Sequence, residues 1–414
     1  MESFQSGETP GRTTLCESID ATRLSSVASS NGDHFAITDQ TTAQKSSSIQ
    51  IDWRIRKYEV VLLMYAVVCV PLISGKLPFS PELAGYFFLR VFTYTAAVYA
   101  IACIIIAGRF IRWWLTRTSG ASELHSKLRL FVPYFTVNFL LLTLRRGTAI
   151  LGVLYLFLHL KHVILFIHFN NFDLTFWNLD RTIHFGIQPN IWLLERYGSN
   201  FDFATLFDQV YKWYFKYLIL VSIFFLLEIR GRELTEKFFL AYTLLWGIGG
   251  LSYLIMPTDG PCYAILGPHS VPKEEQQHVF SFPVTSEVPA SYVKAYNDSR
   301  IWIAKVYQEK LWHHRHRFLA GKELPGDFYG IAAMPSLHVA AVTMVAIFLF
   351  TASPPAGFFA IIFAVMVFIG SVFLQWHYAI DGYVGILLAI SVSWVSLKWG
   401  GSCWSKKSAH LVSD

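Results

Sequence analysis

The chain of 414 residues carries 34 Lys and Arg against 28 Asp and Glu, a formal net charge of +6, with 15% charged and 54% apolar residues. A soluble protein of this size carries roughly 25% charge, so this deficit and a mean hydropathy of +0.41 exclude an ordinary soluble domain. Several apolar runs near the length of a bilayer crossing instead predict an all-α, polytopic helical membrane protein.

Residues 1–50 are rich in Ser, Thr, Gly and Asp and lack the apolar stretch of a cleavable signal, so they read as a disordered cytoplasmic tail. About eight spans follow, at 59–74, 85–107, 147–168, 209–228, 236–256, 334–352, 356–375 and 379–398, before a short cytoplasmic tail at 401–414. A further apolar stretch at 130–143 is short for a crossing and is expected to be interfacial or re-entrant. Five cysteines, at positions 16, 69, 103, 262 and 403, have no metal-type spacing.

The basic clusters set an orientation. Arg54, Arg56 and Lys57 precede the first span, and Arg109 through Arg146 separate the second from the third. Arg230, Arg232 and Lys237 separate the fourth from the fifth, and Lys406 and Lys407 follow the last. With eight crossings all of them fall on the cytoplasmic side. The nucleic-acid reading of this basic charge is thereby set aside, and the bilayer is the expected partner. The segment 170–208, the loop 257–333 and the junction 376–379 then fall on the extracytoplasmic face. The loop reads as a lid or part of a substrate site.

Chemistry concentrates at the two ends of the last helical hairpin. Pro335-Ser336-Leu337-His338 opens one span, and His377-Tyr378-Ala379-Ile380-Asp381 opens the last. Antiparallel spans return the chain to the face it left, so His338 and His377 should meet. Four residues apart on a helix, His377 and Asp381 share a face, and the carboxylate can orient the imidazole as base or nucleophile. Ser336 and the helix start at His338 suit a phosphate. Read singly, each has a bland alternative: a structural His–Asp pair, or Ser336 as a mere helix cap.

Together these residues resemble the type 2 phosphatidic acid phosphatase superfamily, with its Pro-Ser-x-His and His-x-x-x-Asp motifs. Leu337 stands where phosphatases have Gly, Gly370-Ser371 where they have Ser-Arg, and Met256-Pro257-Thr258-Asp259-Gly260-Pro261 where they have a Lys-x6-Arg-Pro motif. Those departures, with the segment Leu179 to Gly186, Pro189 and Trp192, are similar to the inositol phosphorylceramide synthase-like branch. The resemblance covers about residues 170–400, which it implies to be the catalytic membrane domain, with 51–169 as N-terminal transmembrane helices.

The resemblance implies a phosphohistidine mechanism that needs no metal or cofactor. His377 would attack phosphorus, oriented by Asp381. His338 would protonate the leaving oxygen, and Ser336 would hold a non-bridging oxygen. A phospholipid would be the donor, and a lipid hydroxyl or water the acceptor. The basic residues that normally surround a phosphoryl group are missing from these motifs. Candidate substitutes are Arg300, Lys305, Arg315, Arg317 and Lys322, with Arg300 and Arg317 taken as the substrate-binding pair. The run His313 to Arg317 reads as a headgroup contact rather than a metal site.

The expected activity is phospholipid phosphotransfer of the inositol-phosphate type. The alternatives are a lipid or isoprenoid phosphate phosphatase, and a non-catalytic lipid-binding protein or transporter. His159, Lys161, His162 and His168 read as polar groups facing the bundle. Trp192, Trp213, Tyr214, Tyr217 and Trp376 read as interfacial anchors.

Overall fold

The computed structural model describes residues 53–116, 132–167, 172–227, 232–266, 288–319 and 334–400. The expected tails at 1–50 and 401–414, His168 and Lys322 lie outside the described residues.

Among the described residues the chain forms thirteen α-helices and no strand. The long ones are α1 (Lys57–Ser74), α2 (Pro81–Thr116), α3 (Val137–Ile167), α6 (Phe201–Leu227), α7 (Arg232–Ile255), α12 (Pro354–Phe373) and α13 (Ala379–Trp399). All seven are long and apolar enough to cross a membrane. The apolar helix α11 (Leu337–Ala352) is shorter, at 16 residues. Shorter helices α4 (Asp173–Ile183), α5 (Pro189–Tyr197), α8 (Pro261–Leu266), α9 (Ala290–Asp298) and α10 (Ile303–Leu319) complete the set.

Local chemistry sets several helix starts. Thr136 Oγ1 accepts from Phe139 N at 3.2 Å, and Asn200 Oδ1 from Phe203 N at 2.9 Å. Each satisfies an N–H that has no intrahelical acceptor. Pro81 and Pro354 occupy first helical positions, where a missing N–H costs nothing.

Two boundaries differ from the sequence expectation. The described part of the stretch 130–143 is not a separate re-entrant element: Val132–Phe135 is a 3₁₀ turn, and Val137 onward is already α3. Arg145 and Arg146 interrupt the apolar pattern there, but each finds a carboxylate from another helix. Arg145 Nε lies 2.5 Å from Glu59, and Arg146 Nη2 lies 2.6 Å from Glu236. Charge that is paired across helices no longer marks a loop. Helix α2 also runs past its expected end at 107. Its 36 residues span about 54 Å, longer than the hydrocarbon core of roughly 30 Å.

α7 lies at the centre, packed against α1, α3, α11 and α13, while α11 and α12 form a close antiparallel hairpin. The rings of Phe225 and Phe238 stack at 4.1 Å, with Phe348 5.6 Å from Phe238. Most side chains of α11 are buried, whereas α2 presents Phe88, Leu89 and Ile104 outward, as a bilayer-facing helix should. The Arg145–Glu59 and Arg146–Glu236 pairs, and a hydrogen bond from Lys57 Nζ to the Trp399 carbonyl, gather the starts of α1 and α7 and the end of α13. The starts of α11 and α13 lie at the other end of the bundle, and with them both motif histidines.

Candidate active site

The turn between α12 and α13 carries His377. Gln375 adopts φ +66° there, a left-handed conformation that costs a non-glycine residue about 1 kcal/mol. A dense set of hydrogen bonds holds it. Gln375 Nε2 donates to the carbonyls of Phe373 (2.7 Å) and Asn190 (3.2 Å). Its Oε1 accepts from Tyr292 OH, and its carbonyl accepts from Cys262 N at 2.9 Å. Asn190, on α5, donates to the carbonyls of Val372 (2.9 Å) and His377 (3.0 Å). Ser371 O accepts from both Trp376 N (3.0 Å) and His377 N (3.1 Å). The backbone of His377 is therefore clamped from α5 and α12, and Gln375 before it is held from α8 and α9.

The start of α13 is capped in trans. Asp180 Oδ2 and Oδ1 accept from Ala379 N and Ile380 N, both at 2.8 Å. Burial raises the Asp180 carboxyl to about 6, despite those two donors. Asp173 accepts from Tyr378 OH (2.7 Å), Asp259 N (2.7 Å) and Gly260 N (2.9 Å). Burial, followed by repulsion from Asp259, raises it to about 7. Gly260 sits at φ +96°, where a side chain would be strained. The Asp259–Gly260 turn is thus tied to α4 and to the start of α13.

The two motif histidines touch. His377 Nε2 lies 3.3 Å from His338 Nδ1, and His377 Nδ1 lies 3.5 Å from Asp381 Oδ2. The second distance is long for a hydrogen bond, and such contacts commonly tighten only when substrate binds. Asp381 Oδ2 also accepts from Tyr378 N at 2.9 Å, and its carbonyl accepts from Ser336 N at 2.9 Å, joining the two motifs directly. Gly385 permits this approach: a Cβ there would lie 2.6 Å from the Ser336 carbonyl. Ser336 Oγ caps α11 by accepting from Val339 N at 3.4 Å, and its own O–H remains able to donate.

Aromatic rings surround His338. Tyr214, Tyr211 and Phe215 have ring centroids 4.8, 5.1 and 6.0 Å from its imidazole. Trp376 lies parallel to Tyr211 at 6.3 Å. Tyr214 is therefore a buried wall of the site rather than an interfacial anchor, whereas Trp192 and Trp213 are exposed. Tyr253 OH donates to the Pro335 carbonyl at 2.9 Å.

The expected substitute cations diverge. Arg300 and Arg317 are exposed. Arg315, between them on the same stretch of chain, turns inward and meets Asp259 at 2.5 Å, with both side chains buried. Lys305 donates to the carbonyls of Ser299 (3.0 Å) and Asn297 (3.3 Å).

Asn190, Gln375, Asp173 and Asp180 carry much of this geometry without belonging to a spaced motif. Asp173, Asp180 and Asn190 all fall within the segment 170–208 singled out by sequence, but nothing in that segment announced their hydrogen-bonding roles. His159 Nε2 accepts from Ser80 N at 3.1 Å, so it serves the start of α2 rather than this site.

Seven helices long and apolar enough to cross a membrane, with two contacting imidazoles backed by a carboxylate at one end of the bundle, define an integral membrane protein with a candidate active site. Residues 174–395, more than half of the chain, match a family model described as the PAP2 superfamily, and the chain belongs to that superfamily. Its members are phosphatases or phosphotransferases, and this protein is an enzyme of that general type. No curated protein and no solved structure matches the chain significantly.

Proposed function

We propose that this protein is a membrane-embedded phosphotransferase acting on phospholipids, of the inositol-phosphate transfer type, through a phosphohistidine on His377. The observation that carries this reading is the 3.3 Å contact of His377 Nε2 with His338 Nδ1, with Asp381 behind the other nitrogen of His377. Asp381 holds a proton on Nδ1 and leaves the Nε2 lone pair to attack phosphorus. A P–N bond forms, the P–O bond to the diacylglycerol breaks, and His338 delivers a proton to the departing oxygen. A lipid hydroxyl then gives its proton to His338 and attacks phosphorus, and the P–N bond breaks. Ser336 O–H and the first turn of α11 hold a non-bridging oxygen, with Arg300 and Arg317 meeting the headgroup at the surface.

A lipid substrate is supported by Phe215. It is exposed on the outer surface of α6, yet its ring lies 6.0 Å from that of His338. The reacting pair is thus one side chain from the bilayer-facing surface. The basic clusters at the opposite end of the bundle support an extracytoplasmic active site by the positive-inside rule. His338 retains partial exposure, which gives water the same access, and hydrolysis of a lipid phosphate is the second reading.

The test incubates purified protein and His377→Ala with phosphatidylinositol, with and without ceramide, and reads products by mass spectrometry. An inositol-phosphate sphingolipid that depends on His377 is the expected result. Free phosphate from added phosphatidic acid, with no lipid product, would favour the phosphatase. No turnover dependent on His377 would sink both readings.

A further inference from the structure

A phosphoryl group bound beside His377 adds negative charge next to the buried Asp381 carboxylate. Charge of this kind needs a cation, and the transition state needs it more. The first- and third-motif positions supply none. Arg315 is held by Asp259, and Arg300 and Arg317 point outward. Among the described residues the cation is sought elsewhere in the fold.

Lys161 meets the requirement. It lies in α3, a membrane-spanning helix, where an ammonium is costly unless it is paired or used. No carboxylate pairs with it among the described residues. Its Nζ lies 5.5 Å from the ring of Phe157 and 6.0 Å from that of Tyr253, distances at the outer limit of a cation–π contact. Tyr253 in turn donates its hydroxyl to the carbonyl of Pro335, the residue that opens the Ser336–His338 motif. The polar neighbours of Lys161 on α3 are occupied locally: His159 accepts from Ser80 N, and His162 Nδ1 contacts the Leu158 carbonyl at 2.8 Å.

We propose that Lys161 is a substrate-binding cation whose ammonium holds a non-bridging oxygen of the phosphoryl group at the His338–His377 pair. This rests on the phosphoryl-transfer reading of that pair. Lys161 lies outside the matched segment 174–395, so the phosphate site is completed by a helix beyond the superfamily core. A flexible ammonium suits this task, because it can leave the rings of Phe157 and Tyr253 and extend toward an arriving anion.

The experiment measures binding of orthovanadate, a mimic of the five-coordinate phosphoryl group, to the purified full-length protein by titration calorimetry. Lys161→Met is expected to weaken binding by about 10²-fold, as loss of a single oxyanion contact does. Lys161→Arg, which keeps the charge, is expected to retain a substantial part of it. Lys216→Met is the control, since Lys216 is exposed on α6 and rests 4.1 Å from the ring of Trp213. It should bind as wild type does. Lys161→Gln replaces the methionine variant if that variant is not monodisperse, and is read in the same way.

Vanadate binding by Lys161→Met equal to wild type overturns the proposal and leaves the roles of the histidines standing. Binding that depends on Lys161 in a protein with no turnover dependent on His377 supports the anion site and sinks the transfer reading instead. A wild-type protein that binds no vanadate overturns both.

Discussion

His377 Nε2 and His338 Nδ1 lie 3.3 Å apart, closer than any phosphorus atom could fit between them. The contact therefore belongs to the substrate-free site, and an arriving phosphate must part the two rings. The backbone of His377 is clamped by Asn190 and Ser371, whereas the ring of His338 rests among aromatic rings. In the proposed mechanism the nucleophile is therefore the fixed partner and the acid the adjustable one, which suits an acid that must follow a leaving oxygen and then an acceptor.

Asp381→Asn should separate orientation from folding. The Asn side-chain oxygen can still accept from Tyr378 N, so the start of α13 survives. That same oxygen faces His377 Nδ1 but carries no negative charge to stabilise the imidazolium, and kcat should fall by at least about 10²-fold. The check is kcat alongside the melting temperature. Full activity in a folded variant would remove Asp381 from the proposed mechanism.

Asn190→Ala removes two donors from the His377 turn. Val372 O keeps its bond from Gln375 N, but the buried carbonyl of His377 loses the Asn190 donor. The expected loss of stability is about 1–3 kcal/mol, with a larger proportional loss of turnover as the imidazole drifts. Denaturation and initial rates measured on one preparation decide it. Unchanged turnover would show that the clamp does not position the ring.

The buried carboxyls make stability depend on pH. Asp173 titrates at about 7 in the folded protein, above its ordinary 3.8, so the folded state binds this proton more tightly than the unfolded chain does. Its contribution is complete below 3.8 and is lost as pH rises through about 7. Asp180, at about 6, acts in the same direction. The melting temperature should fall as pH is raised from about 5 to about 8, and Asp173→Asn should flatten that slope. An equally steep slope in the variant would assign the effect to other groups.

Arg315 and the two exposed arginines should behave differently. Breaking the buried Arg315–Asp259 pair with Arg315→Met removes a buried cation from beside the carboxylate, a loss of about 3–5 kcal/mol. Adding Asp259→Asn should restore most of it, which a double-mutant cycle measures. Arg300→Ala and Arg317→Ala should change stability by less than about 0.5 kcal/mol. If these two meet the lipid headgroup, they raise KM and leave kcat alone. An unchanged KM in both would remove them from the substrate site.

The all-helical, membrane-spanning architecture was legible because apolar runs of bilayer length have no other stable arrangement in lipid. The motif histidines were legible from their spacing and their place at the ends of one hairpin. The start of α3 was misread because Arg145 and Arg146 look like a loop until Glu59 and Glu236 arrive from helices distant in sequence. Tyr214 was misread because an aromatic near a helix end looks the same whether it faces headgroups or an imidazole.

Sequence alone determined the helical membrane class, the superfamily motifs and the pairing of His338 with His377. Those features rest on local properties: run length, residue type and spacing along one hairpin. Tertiary structure decided which groups hold them. Asn190, Asp173 and Asp180 reach the His377 turn from nearly 190 to just over 200 residues away. Arg315 rather than Arg300 or Arg317 turned inward, and Lys161 came to lie beside Tyr253, which bonds the Pro335 carbonyl. A hydrogen bond or ion pair depends on distances of a few ångströms in space, and only packing of the helices brings such residues within that range.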